Sequence, residues 1–69
     1  MEVIKLREDF IKLGQALKAA GLVESGVEAK EVILEGLVLV NGEVELQRGK
    51  ILYDGDIVEF DGEQIMIEK

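Results

Sequence analysis

Few side chains in this sequence can do covalent chemistry. There is no cysteine and no histidine, and Ser25 is the only serine in a chain without threonine. Nucleophilic catalysis needs a hydroxyl or thiol beside a base, and the commonest base and metal ligand, imidazole, is missing. Ser25 already has a structural explanation. Ser25-Gly26-Val27-Glu28 has the spacing of a capping box, in which the serine accepts from the third amide of the helix and the glutamate reaches back to the cap amide. Carboxylates are plentiful, but a paired-carboxylate site needs a concave pocket, and 69 residues leave little room for one. Asp54, Asp56 and Asp61 suggest a metal cluster, yet they lack the Asp-x-Asp-x-Asp-Gly spacing and closing glutamate of a calcium loop. Aspartate is a common turn residue, and these three read as turns. The sequence therefore points away from catalysis, disulfides, metals and other cofactors.

Anion binding fares better. A helix opening at Ser25-Gly26 offers free amides to a phosphate, with Lys30 one turn further on. Glu24, Glu28 and Glu31 surround that point and oppose an anion. Gln47-Arg48-Gly49-Lys50 is a short basic loop with a glycine pivot, able to lay two cations and backbone amides against a phosphate. A capped surface helix and a solvated loop are the plainer readings of the same residues. The net charge of −7 opposes nucleic acid, because affinity for a phosphate backbone grows with the charges neutralised. The acid is unevenly spread, however. Residues 1–11 and 12–50 each carry one excess negative charge, whereas 51–69 carry five.

These residues need a scaffold, and the apolar pattern supplies one. Val3-Ile4-Lys5-Leu6-Arg7 alternates like a short strand. The echo of Val3–Leu6 in Phe10–Leu13, across Glu8-Asp9, predicts a small hairpin. Leu13, Ala16, Leu17 and Ala20 stand at i, i+3, i+4 and i+7, one helical stripe, stopped by Gly21. Gln15 and Lys18 lie off that stripe. A second helix runs from Ser25 to Gly36 with Ala29, Val32 and Ile33 inward, so the two form an αα-hairpin. Val38 and Val40 open a strand, Asn41-Gly42 is a strong two-residue hairpin turn, and Val44 and Leu46 continue on the return. Ile51-Leu52 is a short apolar pair. Ile57, Val58 and Phe60 make another strand, and Ile65, Met66 and Ile67 the last, with turns at Asp54-Gly55 and Asp61-Gly62. The expected class is α+β: a helix pair packed on a small, mostly antiparallel sheet. Residues 1–69 are expected to form a single domain with an aliphatic core, since only Phe10, Tyr53 and Phe60 are aromatic. No signal-peptide pattern appears, nor any apolar run near the roughly 20 residues that span a bilayer. The expectation is a soluble, cytoplasmic monomer with no membrane contact.

Taken together, Leu13-Gly14-Gln15, Leu17-Lys18, Gly21-Leu22, Glu24-Ser25-Gly26, Glu28-Ala29-Lys30, Glu35-Gly36, Val38-x-Val40-Asn41-Gly42-Glu43, Arg48-Gly49-Lys50 and Gly55-Asp56 resemble the S4-like RNA-binding domain. Its helix–helix–strand unit is also called the alpha-L motif. The resemblance spans residues 13–60 and is strongest to free-standing bacterial members of about seventy residues implicated in ribosome assembly. It implies a non-catalytic protein that binds structured RNA, ribosomal RNA above all, with ribosomal proteins as possible neighbours. Carried over by position, it nominates Lys12, Gln15 and Lys18 on the first helix, Ser25, Gly26 and Lys30 at the second, Asn41 at the turn, and Arg48 and Lys50 in the loop. The cations would neutralise phosphates, and Gln15 and Asn41 would reach 2′-hydroxyls or base edges. With no aromatic inside this surface, paired RNA is expected rather than stacked single strands. The chain departs from the family at Val27, where a small residue is usual, and at Gln47 and Ile51, which replace the outer cations of a loop commonly Arg-Arg-Gly-Lys-Lys. Each lost phosphate contact lowers the salt-dependence slope by roughly 0.7–0.9.

Two other classes compete. Val40–Glu43 and Tyr53–Phe60 look like the later strands of a ubiquitin-like sulfur carrier, but that chemistry needs a C-terminal Gly-Gly where this sequence has Ile67-Glu68-Lys69. An acidic interaction module docking on a basic ribosomal partner would use the carboxylates of residues 51–69.

Overall fold

The stripe at Leu13, Ala16 and Leu17 is fully buried on helix α1 (Leu13–Ala19) in the computed structural model, which describes residues 1–69. Ala20 caps that helix and is half-buried. Helix α2 (Gly26–Leu34) buries Ala29 and Ile33 against the same core, with Val32 half-buried beside them. Both helices end alike. The amides of Leu22 and Gly21 donate to the carbonyls of Leu17 and Lys18, each at 3.0 Å, and those of Leu37 and Gly36 donate to Val32 and Ile33, each at 3.1 Å. This double reverse bond needs a left-handed residue after the cap, and Gly21 (φ +75°) and Gly36 (φ +78°) provide it. The connector between the helices buries Val23, which its sequence context does not suggest.

Seven short strands complete the chain: β1 (Glu2–Lys5), β2 (Ile11–Lys12), β3 (Val38–Val40), β4 (Glu43–Val44), β5 (Ile51–Leu52), β6 (Ile57–Phe60) and β7 (Glu63–Glu68). Five form one sheet in the order β1-β7-β6-β3-β4, and β2 pairs with β5 in a separate two-stranded ladder. All neighbours are antiparallel except β1 and β7, which run parallel from Glu2 opposite Ile65 to Lys5 opposite Glu68. The expected class is therefore observed: two helices on a mostly antiparallel sheet.

Two local expectations are overturned. Val3–Leu6 and Phe10–Leu13 do not form a hairpin. Strand β1 goes to β7, Leu6 extends that pairing through a 2.7 Å bond to the Glu68 carbonyl, and β2 turns instead to β5. A tight hairpin turn needs positive φ, and no residue between Leu6 and Phe10 has it. The return strand after Asn41-Gly42 also stops at Val44, leaving Val44 and Leu46 more than half exposed. Strand β4 is the sheet edge, with only β3 beside it, so nothing covers the apolar alternation that continues past it. The turn itself forms as expected, with Asn41 at φ +52° and Gly42 at φ +86°.

The twelve buried residues make one cluster: Leu13, Ala16, Leu17, Ala29 and Ile33 from the helices, Val23 from their connector, and six aliphatics from β3, β5, β6 and β7. No buried side chain is polar. Truncating a leucine in such a core costs about 2–5 kcal/mol, a large share of the 5–15 kcal/mol typical of a whole domain. No helix is long and apolar enough to cross a membrane.

Candidate nucleic-acid interface

The basic loop is fastened to the start of α1. The first amides of a helix have no partner within it. Here Leu13 donates to the Lys50 carbonyl at 2.9 Å and Gly14 to the Arg48 carbonyl at 3.1 Å. The Lys50 amide closes the loop on the Gln47 carbonyl at 3.1 Å. Lys12 is the N-cap of α1, and its amide donates to the Gln15 side-chain oxygen at 3.3 Å. The junction at Gly14 leaves room for a methyl group and little more: an added Cβ would lie 3.7 Å from the Arg48 carbonyl oxygen and 3.8 Å from the Ala29 Cβ.

The result is a shallow groove of ≈ 330 Å³ between the two helices and the loop. Helix α1 contributes Lys12, Gly14, Gln15 and Lys18, α2 contributes Gly26 and Ala29, and the loop contributes Arg48 and Gly49. Three cations line it and no carboxylate does. That is a sharp local reversal in a chain of net charge −7. The molecule holds two ion pairs, Lys5 with Glu68 at 3.0 Å and Lys69 with Asp9. Six of its eight cations therefore have no carboxylate partner, although carboxylates outnumber them nearly two to one. Unpaired, exposed cations keep their charge available to an external anion.

The start of α2 faces the groove through Gly26, whose Cβ position is open space. The Ser25 hydroxyl accepts from the Glu28 amide at 3.1 Å, as the cap spacing predicts. The other half of the box differs. The Glu28 carboxylate accepts from the Glu24 amide at 2.8 Å, one residue before the cap. Neither Glu24, Glu28 nor Glu31 lines the groove.

Of the nine nominated residues, Lys12, Gln15, Lys18, Gly26 and Arg48 come together in this groove. Lys30 follows Gly26 by four residues, on the same helix face, and is exposed beyond the lining. Ser25 is occupied as a cap. Lys50 lines a different recess, of ≈ 440 Å³, together with Asn41 and Asp56. Asn41 is engaged within the protein: its side-chain amide donates to Asp56 at 3.0 Å and its side-chain oxygen accepts from the Ile57 amide at 2.9 Å. Asp56 is held further by the Tyr53 amide, 2.8 Å from its second oxygen. Asn41 thus locks the β3–β4 turn onto the start of β6.

Sequence reasoning passed over Arg7 and Phe10. They line a larger groove of ≈ 740 Å³ on the other side of α1, which shares Lys12, Gln15 and Lys18 with the first. The available signal was an aromatic interleaved with basic residues, Lys5, Arg7, Phe10 and Lys12.

Known proteins share this sequence pattern and fold. Residues 4–68 match the family described as the S4 domain. The chain is 46% identical over 59 residues to the Bacillus subtilis protein named "Probable ribosome maturation protein RlbA", covering 86% of this chain and 83% of that one. It is 37% identical over 61 residues to YbcJ of Escherichia coli, covering 88% and 87%. The solution structure of YbcJ from E. coli, described as revealing an alpha-L motif involved in RNA binding, superposes with a TM-score of 0.76 at 33% identity. The match covers all of this chain and 89% of that one.

Proposed function

Because this chain belongs to the S4 domain family, we propose that it is a non-catalytic RNA-binding protein that engages structured ribosomal RNA during maturation of the ribosome. The observation that carries this reading is the groove at Lys12, Lys18 and Arg48, cationic and free of carboxylates on an acidic chain. Lysine and arginine there neutralise backbone phosphates and release counterions. Gln15 keeps its amide protons for a 2′-hydroxyl, and the Gly26 backbone lets a phosphate approach the first turn of α2. The names of the relatives support the choice of RNA and of ribosome maturation.

The acid of residues 51–69 lies outside the groove. It limits non-specific attraction, so binding depends on shape complementarity at the cationic patch as well as on charge. The protein acts as a cytoplasmic monomer in this reading. Its sheet edges are a two-residue strand on one side and a strand bearing Glu2 and Lys5 on the other, both poor templates for edge pairing.

The test is binding to isolated stem fragments of ribosomal RNA over a salt series. We expect log affinity to fall linearly with log salt, and the pair Lys18→Glu with Arg48→Glu to abolish binding in a folded protein. Unchanged binding by that double variant overturns the assignment.

A further inference from the structure

We propose that the groove on the far side of α1 takes an unpaired base of the bound RNA, stacked on Phe10, with Arg7 and Lys12 on the flanking phosphates. This rests on the RNA-binding reading above and extends it to a second subsite of different chemistry.

Three observations converge on Phe10. Phe10 is 43% exposed and is not one of the buried core residues, so part of its surface is open to a ligand. It lines a concavity of ≈ 740 Å³, within the range of about 300–1,000 Å³ found for small-ligand sites. Around it stand Arg7, Lys12 and Lys18, all exposed and none paired with a carboxylate. Glu8 is the single acid in that lining. An aromatic face ringed by cations is the arrangement that holds an unstacked base while its phosphates are neutralised.

Continuity selects RNA over an acidic peptide as the occupant. Lys12, Gln15 and Lys18 line both grooves. A strand whose phosphates engage the carboxylate-free groove is therefore already in contact with the edge of the second one. A single nucleotide displaced from a stem can cross α1 there, whereas a peptide would compete with the RNA for the same three side chains. The recognised element is thus a stem carrying a bulged or flanking base, not an uninterrupted duplex.

The experiment compares two short RNA hairpins of ribosomal sequence, one fully paired and one with a single unpaired adenine beside the same stem. Wild-type protein should bind the second more tightly and shift the Phe10 ring protons upfield on binding. Phe10→Leu keeps an apolar side chain at an exposed position and should leave thermal unfolding unchanged. It should remove about tenfold in affinity for the hairpin with the unpaired base, as expected for loss of one base–aromatic stack, with no change for the paired one. Phe10→Trp should restore the preference. Equal binding of both hairpins by wild type, or equal losses on both in Phe10→Leu, overturns the stacking subsite and leaves the RNA reading standing. Failure of both hairpins to bind at low salt overturns both. A glutamate-rich apolar peptide that moves the Phe10 ring when neither RNA does assigns the groove to a protein partner instead.

Discussion

The Gly14 amide donates to the Arg48 carbonyl across 3.1 Å, so the loop that carries the guanidinium is part of the helix start rather than a free arm. Substitution at Gly14 can therefore test loop placement without touching a charge. An alanine Cβ would make ordinary contacts of 3.7 and 3.8 Å and gain helix propensity. Gly14→Ala should be neutral or stabilising by about 0.5 kcal/mol in urea unfolding. Gly14→Leu has no such room. It should wedge the loop from α2 and weaken RNA binding while the far-ultraviolet spectrum stays native.

Arg48 and Lys50 separate in space, although they are neighbours in the chain. Arg48 lines the carboxylate-free groove and Lys50 the recess beside Asn41 and Asp56. Arg48→Ala should lower the salt-dependence slope by roughly 0.7–0.9, the value of one phosphate contact. Lys50→Ala should leave the slope nearly unchanged. Equal effects from the two would show that RNA spans both sides of the loop.

Ser25 can be divided into its structural and electrostatic roles. Loss of the bond from the Glu28 amide to its hydroxyl should make Ser25→Ala less stable by about 1 kcal/mol. Ser25→Asp retains a good cap and adds negative charge next to Gly26. It should preserve the unfolding midpoint yet reduce RNA affinity. An aspartate variant with wild-type affinity would place the phosphate far from α2.

Asn41 should affect folding before binding. Asn41→Ala removes two side-chain bonds, to Asp56 and from the Ile57 amide, and puts a residue without Asn's tolerance at φ +52°. A loss of about 1–3 kcal/mol is expected from these combined effects. RNA affinity of the protein that remains folded should match wild type, measured at a temperature well below the transition.

The Lys69–Asp9 ion pair gives a pH signature. Its hydrogen bond, and then the charge of Lys69, hold the Asp9 carboxyl below its ordinary 3.8, while Asp9 holds Lys69 above its ordinary 10.5. A lowered carboxyl pKa contributes stability above the unfolded value that disappears as pH falls through the folded one. A raised lysine pKa contributes stability below the unfolded value that disappears as pH rises through the folded one. Both groups are exposed, so solvent screens the pair, and site-resolved titration is a more sensitive readout than melting. In Lys69→Met the Asp9 carboxyl carbon should titrate near the ordinary carboxylate value.

What could be read in the residues was whatever is encoded within a few positions. The stripe of Leu13, Ala16 and Leu17, the serine cap, the glycine stops and the Asn41-Gly42 turn are all local signals, and each occupies its expected place. The pairing of Glu2 with Ile65 and of Ile11 with Leu52 is not local. A four-residue apolar alternation specifies a buried face but not which distant strand lies beside it, so the N-terminal echo suggested a false hairpin. The same limit divides the candidate interface. Lys12, Gln15 and Lys18 share a helix face by periodicity alone. That Arg48 joins them while Lys50 turns away depends on two backbone bonds, and that the Asn41 side chain is engaged within the protein depends on Asp56 and the start of β6.

The parallel contact between β1 and β7 also sets an order of events during synthesis. Residues 2–5 are made well before residues 65–68, yet these are their only strand partner. Contacts so distant along the chain form late, because loop closure precedes any reward from pairing. The first strand made is thus the last one seated. Until then Ile4 waits uncovered, and this closing step of folding follows synthesis of residues 65–68.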